Sequence, residues 1–217
     1  MAANEMQKKY DTIADSYSNR YVNPQMIARR QADLVQSWGY RPGPNAEVLE
    51  IGCADGLITA ELAQRGFSVT ALDLSPRMIE VTRRRLVALN LSAGLHAVDI
   101  EEFEPHKEWD VTIAMMGSFF TYVEEPQKTL GVLAQWTRKK LLVDLNPRRV
   151  DLSHALDAVR AAGFDSVTWR PFFVPTGVPI GKIQERILRA MEVIPVVRDL
   201  VLKKKFKVVI RGEKSGH

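Results

Sequence analysis

Short apolar runs alternate with longer amphipathic segments along most of the chain, and this pattern predicts parallel β-strands connected by α-helices. The runs are rich in Val, Ile and Leu, and glycine, proline or a capping residue separates them from their neighbours. Seven strands are predicted, at Glu47–Ile51, Ser68–Leu72, Leu95–Val98, Asp110–Ala114, Lys140–Val143, Ser166–Trp169 and Phe206–Ile210. The predicted fold class is therefore α/β, with a seven-stranded, mostly parallel sheet flanked by helices.

Capping residues indicate where the connecting helices begin. Ser75 can accept hydrogen bonds from free N–H groups of the first turn, and Pro76 fits the first helical position, so a helix is predicted from there to about Asn90. The other predicted helices are Leu57–Gln64, Pro126–Thr137 and Asp151–Gly163.

A long segment, residues 170–205, separates the last two predicted strands and contains four prolines. Part of it has a helical pattern of apolar residues, and we expect that face to point toward the protein interior. The face consists of Ile183, Ile187, Leu188, Met191 and Ile194.

Length and composition fit one domain of 217 residues, 46% of them hydrophobic and 26% charged. No run approaches the roughly 18 apolar residues of a membrane span, and Met1–Lys9 is too polar for a signal peptide. The single cysteine, Cys53, has no partner for an internal disulfide, and the four histidines show no zinc-binding spacing. We therefore expect a cytoplasmic protein.

Positive charge is concentrated near the C-terminus. Residues 182–217 contain ten Lys and Arg against four Asp and Glu, whereas the rest of the chain contains twenty against twenty-two. A basic helix end at Lys203–Lys205 predicts peripheral contact with anionic lipid or an anionic acceptor, with a solvated helix face as the alternative. No broad basic surface precedes it, so we expect no nucleic-acid partner.

The turn after the first predicted strand contains the small residues Gly52, Ala54 and Gly56, which allow a ligand to approach the backbone closely. Asp73 ends the second predicted strand about twenty residues later. A carboxylate at that position can accept hydrogen bonds from both hydroxyls of a ribose. The turn and the acid together predict a site for a ligand that contains a nucleoside.

The spacing of the small residues separates two cofactors. A dinucleotide fingerprint needs a glycine or alanine at the sixth position from Gly52, where this chain has Leu57. Glu50 at the end of the strand would repel a diphosphate, but it suits the cationic ammonium and sulfonium groups of S-adenosylmethionine. The spacing therefore favours S-adenosylmethionine.

These residues resemble the motifs of the class I S-adenosylmethionine-dependent methyltransferases that act on small molecules. The family's acidic and glycine-rich motif is matched by Glu50, Gly52 and Gly56, with Ala54 in place of the usual middle glycine. Its ribose-binding acid matches Asp73. The resemblance covers nearly the whole chain and implies a Rossmann-like sheet whose last strand is antiparallel, with a helical insertion between strands 6 and 7.

Further motifs extend the resemblance. Ser75–Met78 matches a Ser-Pro-x-Met pattern, Asp99 matches the adenine-contacting acid, and residues 114–118 are expected beside the methionine part of the cofactor. A tyrosine near the start of the chain often closes over the cofactor's carboxylate in this family. The implied cofactor-binding residues are Tyr10, Tyr21, Glu50, Gly52, Ala54, Gly56, Asp73, Leu74, Met78, Asp99, Ile100 and Met115.

The implied reaction is an in-line displacement in which an oxygen or nitrogen of the acceptor attacks the sulfonium methyl group. The candidates for assisting it are Tyr17, Tyr122 and His154 as bases and Ser118 as an orienting partner. Ser118, Phe119, Phe120 and Tyr122 are expected to form an apolar wall of the acceptor site. For each of these side chains, core packing or solvent exposure is the structural alternative.

A metal site is not predicted. Asp144 and Asn146 have a metal-like Asp-x-Asn spacing, but the ligand set is incomplete. The predicted organisation is one methyltransferase domain over residues 1–217. Residues 1–45 form a helical cap, and residues 170–205 form a lid over the substrate.

The predicted function is methyl transfer to an oxygen or nitrogen of a small, fairly hydrophobic biosynthetic intermediate. Three alternatives remain at this stage: a methyltransferase acting on RNA or protein, a nicotinamide-dependent oxidoreductase, and a cofactor-binding protein without catalysis. The residues identify neither the acceptor nor the oligomeric state.

Overall fold

The structure, a computed structural model, describes residues 3–117, 119–175, 177–197, 200 and 206–215. The strands in this part of the chain are β1 (Glu47–Ile51), β2 (Ser68–Asp73), β3 (Gly94–Ala97), β4 (Trp109–Ala114), β5 (Thr137–Leu145), β6 (Ser166–Pro171) and β7 (Val208–Glu213). The helices are α1 (Ala3–Ile13), α2 (Pro24–Ser37), α3 (Leu57–Gln64), α4 (Pro76–Ala88), α5 (Phe119–Tyr122), α6 (Pro126–Trp136), α7 (Leu152–Ala161) and α8 (Lys182–Met191), and a 3₁₀-helix (Ala14–Arg20) follows α1.

The seven strands form one sheet in the order β3-β2-β1-β4-β5-β7-β6. The pairs from β3 to β5 are parallel, whereas β7 runs antiparallel to both β5 and β6. Helices connect β1 to β2, β2 to β3 and β4 to β5, whereas a loop without a helix leads from β3 to β4. The predicted fold class is confirmed, including the antiparallel last strand and the helical insertion before it.

Most predicted strands are found within one or two residues of their expected bounds, but two differ more. β5 has nine residues instead of four, and β7 begins at Val208 and ends at Glu213 instead of extending from Phe206 to Ile210. The pairing explains both differences, because Lys140–Leu145 of β5 is paired residue by residue with β7, and Thr137 is paired with Trp109 of β4. The C-terminal part of β7 was missed because the charged Arg211 and Glu213 interrupt the apolar pattern.

The core lies on both faces of the sheet, because successive residues of a strand point to opposite faces. On β5, Leu141, Val143 and Leu145 pack on one face, and Leu142 packs on the other with Ile113 of β4. Both faces of the central strands are therefore apolar, which is why the sequence shows continuous apolar runs there and not alternation.

The N-terminal segment lies against the carboxyl ends of β1 and β2 and the start of α4. Asp11 accepts a hydrogen bond from the Arg77 backbone N–H (3.2 Å), and Asp15 forms an ion pair with Arg77 (2.6 Å). Ser18 donates a hydrogen bond to Asp55 in the loop after β1. These contacts bring the N-terminal tyrosines to the edge of the sheet where its parallel strands end.

The predicted inward face of α8 is wrong for three of its five residues. Leu188 and Met191 are partly buried, whereas Ile183, Ile187 and Ile194 are 74%, 54% and 44% exposed. The helix is rotated because its buried side carries an acid, Glu185, and a second buried acid, Glu192, caps its C-terminal end. Both acids form ion pairs with arginines of α2.

Among the helices that the structure describes, each is too short or too polar to cross a membrane.

Candidate active site

A cavity of about 820 Å³ lies at the carboxyl ends of the parallel strands, where ligands bind in open α/β sheets. Its floor is formed by the loops after β1, β2, β4 and β5. Its walls come from the N-terminal segment, from α2 and from the chain on either side of α8. The cavity thus has a β1–β2 end and a β4–β5 end, on either side of the point where the strand order reverses.

The loop after β1 passes close to the β4–β5 end of the cavity. Gly52 lines the cavity with a φ of 70°, and a Cβ atom there would lie 2.9 Å from Cγ of Met116. The N–H groups of Gly52 and Cys53 both donate to the Leu72 carbonyl, at 2.8 and 2.9 Å. A side chain at position 52 would therefore be strained and would displace Met116, and the two hydrogen bonds hold the loop against β2.

Gly56 has a different role from the one expected. It lies at the start of α3 with a φ of 75°, and a Cβ atom there would lie 2.5 Å from Cγ2 of Thr82 on α4. Thr82 in turn donates to the Ala54 carbonyl at 2.8 Å, and Gly56 does not line the cavity. Gly56 therefore allows α4 to support the loop from behind, while Gly52 and Ala54 line the cavity.

Asp73 ends β2 and lines the cavity. Its Oδ2 accepts the Ala54 N–H at 2.8 Å, and its Oδ1 accepts the Ser75 N–H at 2.9 Å. Burial raises the pKa of this carboxyl to about 6, against the lowering effect of those two hydrogen bonds. Each oxygen keeps a lone pair for a further donor, so the pair of oxygens suits two hydroxyl groups of a ligand.

Glu50 lies behind the loop and is 1% exposed. Its Oε2 accepts a hydrogen bond from Thr59 (2.6 Å), but its Oε1 is buried without a partner among the described residues. Burial raises the pKa of the Glu50 carboxyl to about 8. The proton that Glu50 keeps at neutral pH reduces the cost of its burial, and a cationic group bound nearby would favour the ionised carboxylate instead.

Three tyrosines of the N-terminal segment line the cavity together. The rings of Tyr10 and Tyr17 lie 6.2 Å apart, and those of Tyr17 and Tyr21 lie 6.0 Å apart. Burial raises the pKa of Tyr17 well above its usual range, and the neighbouring Tyr21 raises it further. Tyr17 is therefore a neutral hydrogen-bonding group at physiological pH, which does not favour a role as a base.

Met115, Met116 and Tyr122 line the β4–β5 end of the cavity. Phe119 is fully buried in the core and does not contribute to the expected apolar wall, and Phe120 also packs against the core. Ser118 lies outside the described residues. The position of Met115 next to the cavity follows from its place directly after β4.

Asp144 also lines this end, where the sequence suggested only an incomplete metal site. It accepts the Phe119 N–H at 3.1 Å, and burial raises its pKa to about 6 while the charge of Lys207 opposes the rise. In the described part of the chain, no group of three or more metal-binding side chains comes together.

The segment between β6 and α8 provides an apolar wall that the sequence indicated only in outline. Phe172, Phe173 and Val174 line the cavity from one side, and Leu188 and Met191 of α8 line it from another. Apolar surface of this kind takes up ligands by excluding water.

A buried ion pair joins this wall to α2. Arg30 is 2% exposed and pairs with Glu192, which also accepts the Phe173 N–H at 2.7 Å. The Arg30 guanidinium also donates to the Phe173 carbonyl. Arg30 was missed from the sequence, because nothing marks an arginine within an amphipathic helix as buried.

The structure brings together only some of the predicted site residues. Tyr10, Tyr17, Tyr21, Gly52, Ala54, Asp73, Leu74, Met115 and Tyr122 line the cavity. Glu50, Gly56, Met78, Asp99, Ile100 and His154 are not among the lining residues.

The reasons differ among the residues outside the cavity. Met78 is fully buried beneath the capped start of α4, and Ile100 packs against the core. Asp99 accepts the Glu101 N–H at 3.1 Å in the turn after β3. His154 is exposed at the start of α7, where Asp151 caps the helix.

The comparisons with known families and proteins agree with this geometry. Residues 48–140 match a family model described as a methyltransferase domain. Magnesium-protoporphyrin O-methyltransferase of Rhodobacter capsulatus is 29% identical over 163 residues, which are 65% of this chain and 68% of that protein. Ubiquinone biosynthesis O-methyltransferase of Aromatoleum aromaticum is 30% identical over 91 residues, 42% of this chain and 39% of the relative.

Two solved structures share the whole fold. The [4+2]-cyclase SpnF has a TM-score of 0.73 at 16% identity, covering 100% of this chain and 97% of its own. Magnesium protoporphyrin IX methyltransferase of Synechocystis PCC 6803, solved with bound SAM, has a TM-score of 0.67 at 14% identity, covering 99% and 98%. At these identities the likeness establishes the fold.

Proposed function

The chain is a class I S-adenosylmethionine-dependent methyltransferase, and we propose that it methylates an oxygen or nitrogen of a small, fairly hydrophobic biosynthetic intermediate. The family predicted from Glu50, Gly52 and Asp73 is thereby confirmed, together with its cofactor. Neither a nicotinamide-dependent oxidoreductase nor a methyltransferase for RNA or protein has comparable support.

We assign the β1–β2 end of the cavity to the cofactor. Asp73 would accept the two ribose hydroxyls, and the backbone at Gly52 and Ala54 would lie against the cofactor. Glu50 lies behind the loop and not in the cavity lining, so it would act on the cationic amino-acid part of the cofactor through its charge. Bound S-adenosylmethionine supplies a methyl group on a positively charged sulfur, which an acceptor oxygen or nitrogen attacks directly.

The β4–β5 end of the cavity and the apolar wall are assigned to the acceptor. Phe172, Phe173 and Met191 exclude water from that end, and they suit an apolar body. By holding the acceptor in one orientation, these residues contribute through proximity, an effect worth about 7–11 kcal/mol in well-oriented reactions. The relatives that act on protoporphyrin and in ubiquinone biosynthesis support an acceptor of this class.

Proton removal from a hydroxyl acceptor is assigned to the polar groups at this end. Tyr122 lines the cavity and remains a candidate, whereas Tyr17 is suited to donating a hydrogen bond because its pKa is raised. His154 is exposed and is not among the cavity-lining residues, so it takes no part in the proposed mechanism.

The observation that carries the proposal is one continuous cavity that joins Asp73 to the apolar wall. The test incubates the purified protein with radiolabelled S-adenosylmethionine and a small-molecule extract, followed by separation of labelled products. Label in a compound extracted into organic solvent supports the proposal. Label that appears only in protein or RNA fractions, or binding of cofactor without any transfer, would contradict it.

Several predictions from the sequence stay predictions. The basic end at Lys203–Lys205 lies outside the described residues, and its contact with anionic lipid stays a prediction. The cytoplasmic location, the absence of a nucleic-acid partner, the adenine role of Asp99 and the single-domain organisation also stay predictions.

A further inference from the structure

The helix α8 exposes two isoleucines, and a third exposed isoleucine lies three residues beyond its C-terminal end. Ile183, Ile187 and Ile194, here called the isoleucine face, are 74%, 54% and 44% exposed. Val193 and Val196, close to them in the chain, are 67% and 77% exposed. Single exposed apolar residues are ordinary, but a continuous face of them marks a surface that contacts something else.

The position of the isoleucine face follows from how α8 is held. Glu185 pairs with Arg29 of α2 at 2.6 Å, and Glu192 pairs with the buried Arg30. At 3.6 residues per turn, Ile183 and Ile187 lie about 160° around α8 from Glu185, and Glu192 is the residue that caps the C-terminal end of the helix. The ion pairs therefore turn the isoleucines away from the protein.

Cations border the isoleucine face. Lys182 and Arg186 are exposed on α8, about 60–100° around the helix from Ile183, and neither forms an ion pair with a described residue. Residues 182–217 carry an excess of six positive charges in the sequence. An apolar stripe beside exposed cations is the arrangement of helices that lie in the interface of a membrane.

We propose that the isoleucine face of α8, with Lys182 and Arg186, docks on the surface of an anionic lipid bilayer. The isoleucines would enter the boundary between headgroups and acyl chains, and the cations would contact the acidic headgroups. A second copy of the chain fits less well. Two-fold pairing of this face would bring equal charges together in a region of reduced dielectric constant.

The docking surface adjoins the acceptor end of the cavity. Met191 lines the cavity, and it lies about 40° around α8 from the exposed Ile187. If the proposed function holds, an apolar acceptor dissolved in the bilayer would have a short path to the cavity. The docking itself does not depend on that function, because the isoleucine face lies outside the cavity-lining residues.

The test is sedimentation of the full chain with vesicles of phosphatidylcholine alone or with 30% phosphatidylglycerol. We expect binding to the anionic vesicles that weakens in 0.5 M NaCl, and at least a tenfold loss of partitioning for the double variant Ile183→Asn, Ile187→Asn. Lys182→Gln with Arg186→Gln should also weaken binding. Val87→Asn is the matched control, since Val87 is 74% exposed on α4, and it should bind as the unchanged protein does.

Affinity for S-adenosylhomocysteine and the melting temperature, measured on every variant, show that the fold and the cofactor site are intact. The proposal is overturned if the unchanged protein does not sediment with anionic vesicles, or if the double isoleucine variant binds them equally well. It is also overturned if that variant changes only the oligomeric state in light scattering. The double isoleucine variant could bind the vesicles as well as the unchanged protein does, while a variant with Lys203–Lys205 neutralised no longer binds them. That result would assign the lipid contact to the basic end alone.

Discussion

The carboxyl of Glu50 illustrates how one residue can connect stability with binding. It is buried, one of its oxygens has no partner in the described structure, and its pKa is raised to about 8. The unliganded protein therefore holds a proton on Glu50 at neutral pH that the unfolded chain would release. Its free energy of unfolding should accordingly fall as the pH rises from about 4.5 to about 8.

Cofactor binding should show the opposite dependence on pH. A cationic ligand needs ionised Glu50, and ribose hydroxyls need ionised Asp73, whose pKa is about 6. We expect the affinity for S-adenosylhomocysteine to rise about tenfold per pH unit between 6 and 8, and more steeply below 6. Calorimetry in two buffers of different ionisation enthalpy should detect the proton released at pH 7.

The variant Glu50→Gln tests the cause of that dependence. It should bind more weakly at pH 8, and its affinity should change little between pH 7 and 8.5. Asp157→Asn, an exposed acid on α7, should keep the pH profile of the unchanged protein. A flat profile in the unchanged protein would contradict the assignment of Glu50.

Replacing Asp73 by Asn should weaken binding of S-adenosylhomocysteine roughly 10- to 100-fold, because a charge-assisted hydrogen bond is worth about 1.5–3 kcal/mol. The amide keeps one acceptor oxygen and nearly the same shape. Equilibrium dialysis gives the affinity, and Asp157→Asn again serves as the control. An affinity within twofold of the unchanged protein would exclude Asp73 from the ribose site.

At the scale of elements, apolar patterns predicted where the strands lie along the chain but not the rotation of α8. The caps at Ser75 and Asp151 and the loop glycines follow from local chemistry, so the sequence predicted them well. The rotation of α8 depends on Arg30, a residue more than 150 positions away from Glu192. A long-range ion pair of this kind leaves no local signal in the sequence. The isoleucine pattern therefore predicted the wrong buried face of α8.

In the site, too, the residues placed by local sequence were predicted, whereas those placed by long-range contacts were not. Gly52 and Ala54 lie in the turn from β1 to α3, and Asp73 lies at the end of the neighbouring strand β2. Their spacing in the sequence indicates their place in the cavity. Gly56 has a packing role against Thr82 that spacing alone does not distinguish from ligand contact. Asp144 looked like an isolated polar residue, because its place in the cavity depends on the pairing of β4 and β5.

The link between α8 and α2 should be a major contribution to stability. Glu192→Ala leaves the Arg30 guanidinium buried and unpaired, which should cost about 3–5 kcal/mol of unfolding free energy. Urea denaturation followed by circular dichroism measures the loss. The double variant Arg30→Met, Glu192→Leu should recover most of it, since neither charge then remains buried.

The exposed pair of Arg160 and Asp157 provides the comparison for this prediction. Asp157→Ala should cost less than about 1 kcal/mol, because solvent screens a surface ion pair. If Glu192→Ala were as mild as Asp157→Ala, the buried pair would not be what holds α8 in place.

At the scale of the whole molecule, one cavity connects the strand ends, the N-terminal segment and the wall formed by 172–175 and α8. A ligand that bridges these parts should stabilise the fold as a unit. S-adenosylhomocysteine at 100 times its dissociation constant should add about 2.7 kcal/mol, which corresponds to a rise in melting temperature of roughly 5–10 °C for a chain of this size.

NAD at the same concentration should leave the melting temperature unchanged, because Glu50 would repel a diphosphate and Leu57 occupies the place of the last small residue in a dinucleotide motif. Scanning calorimetry with each compound makes the comparison. A larger shift with NAD than with S-adenosylhomocysteine would contradict the assigned cofactor.

The placement of β7 between β5 and β6 has a consequence for biosynthesis on the ribosome. In the described sheet, β6 pairs only with β7, so it has no place to add until residues 208–213 have emerged. The five parallel strands can assemble earlier, but the nascent chain then presents the edge of β5 without a neighbour, a surface prone to pairing with other chains. Closure of that edge is therefore a late event in synthesis, and premature termination shortly before residue 208 should yield an aggregation-prone product.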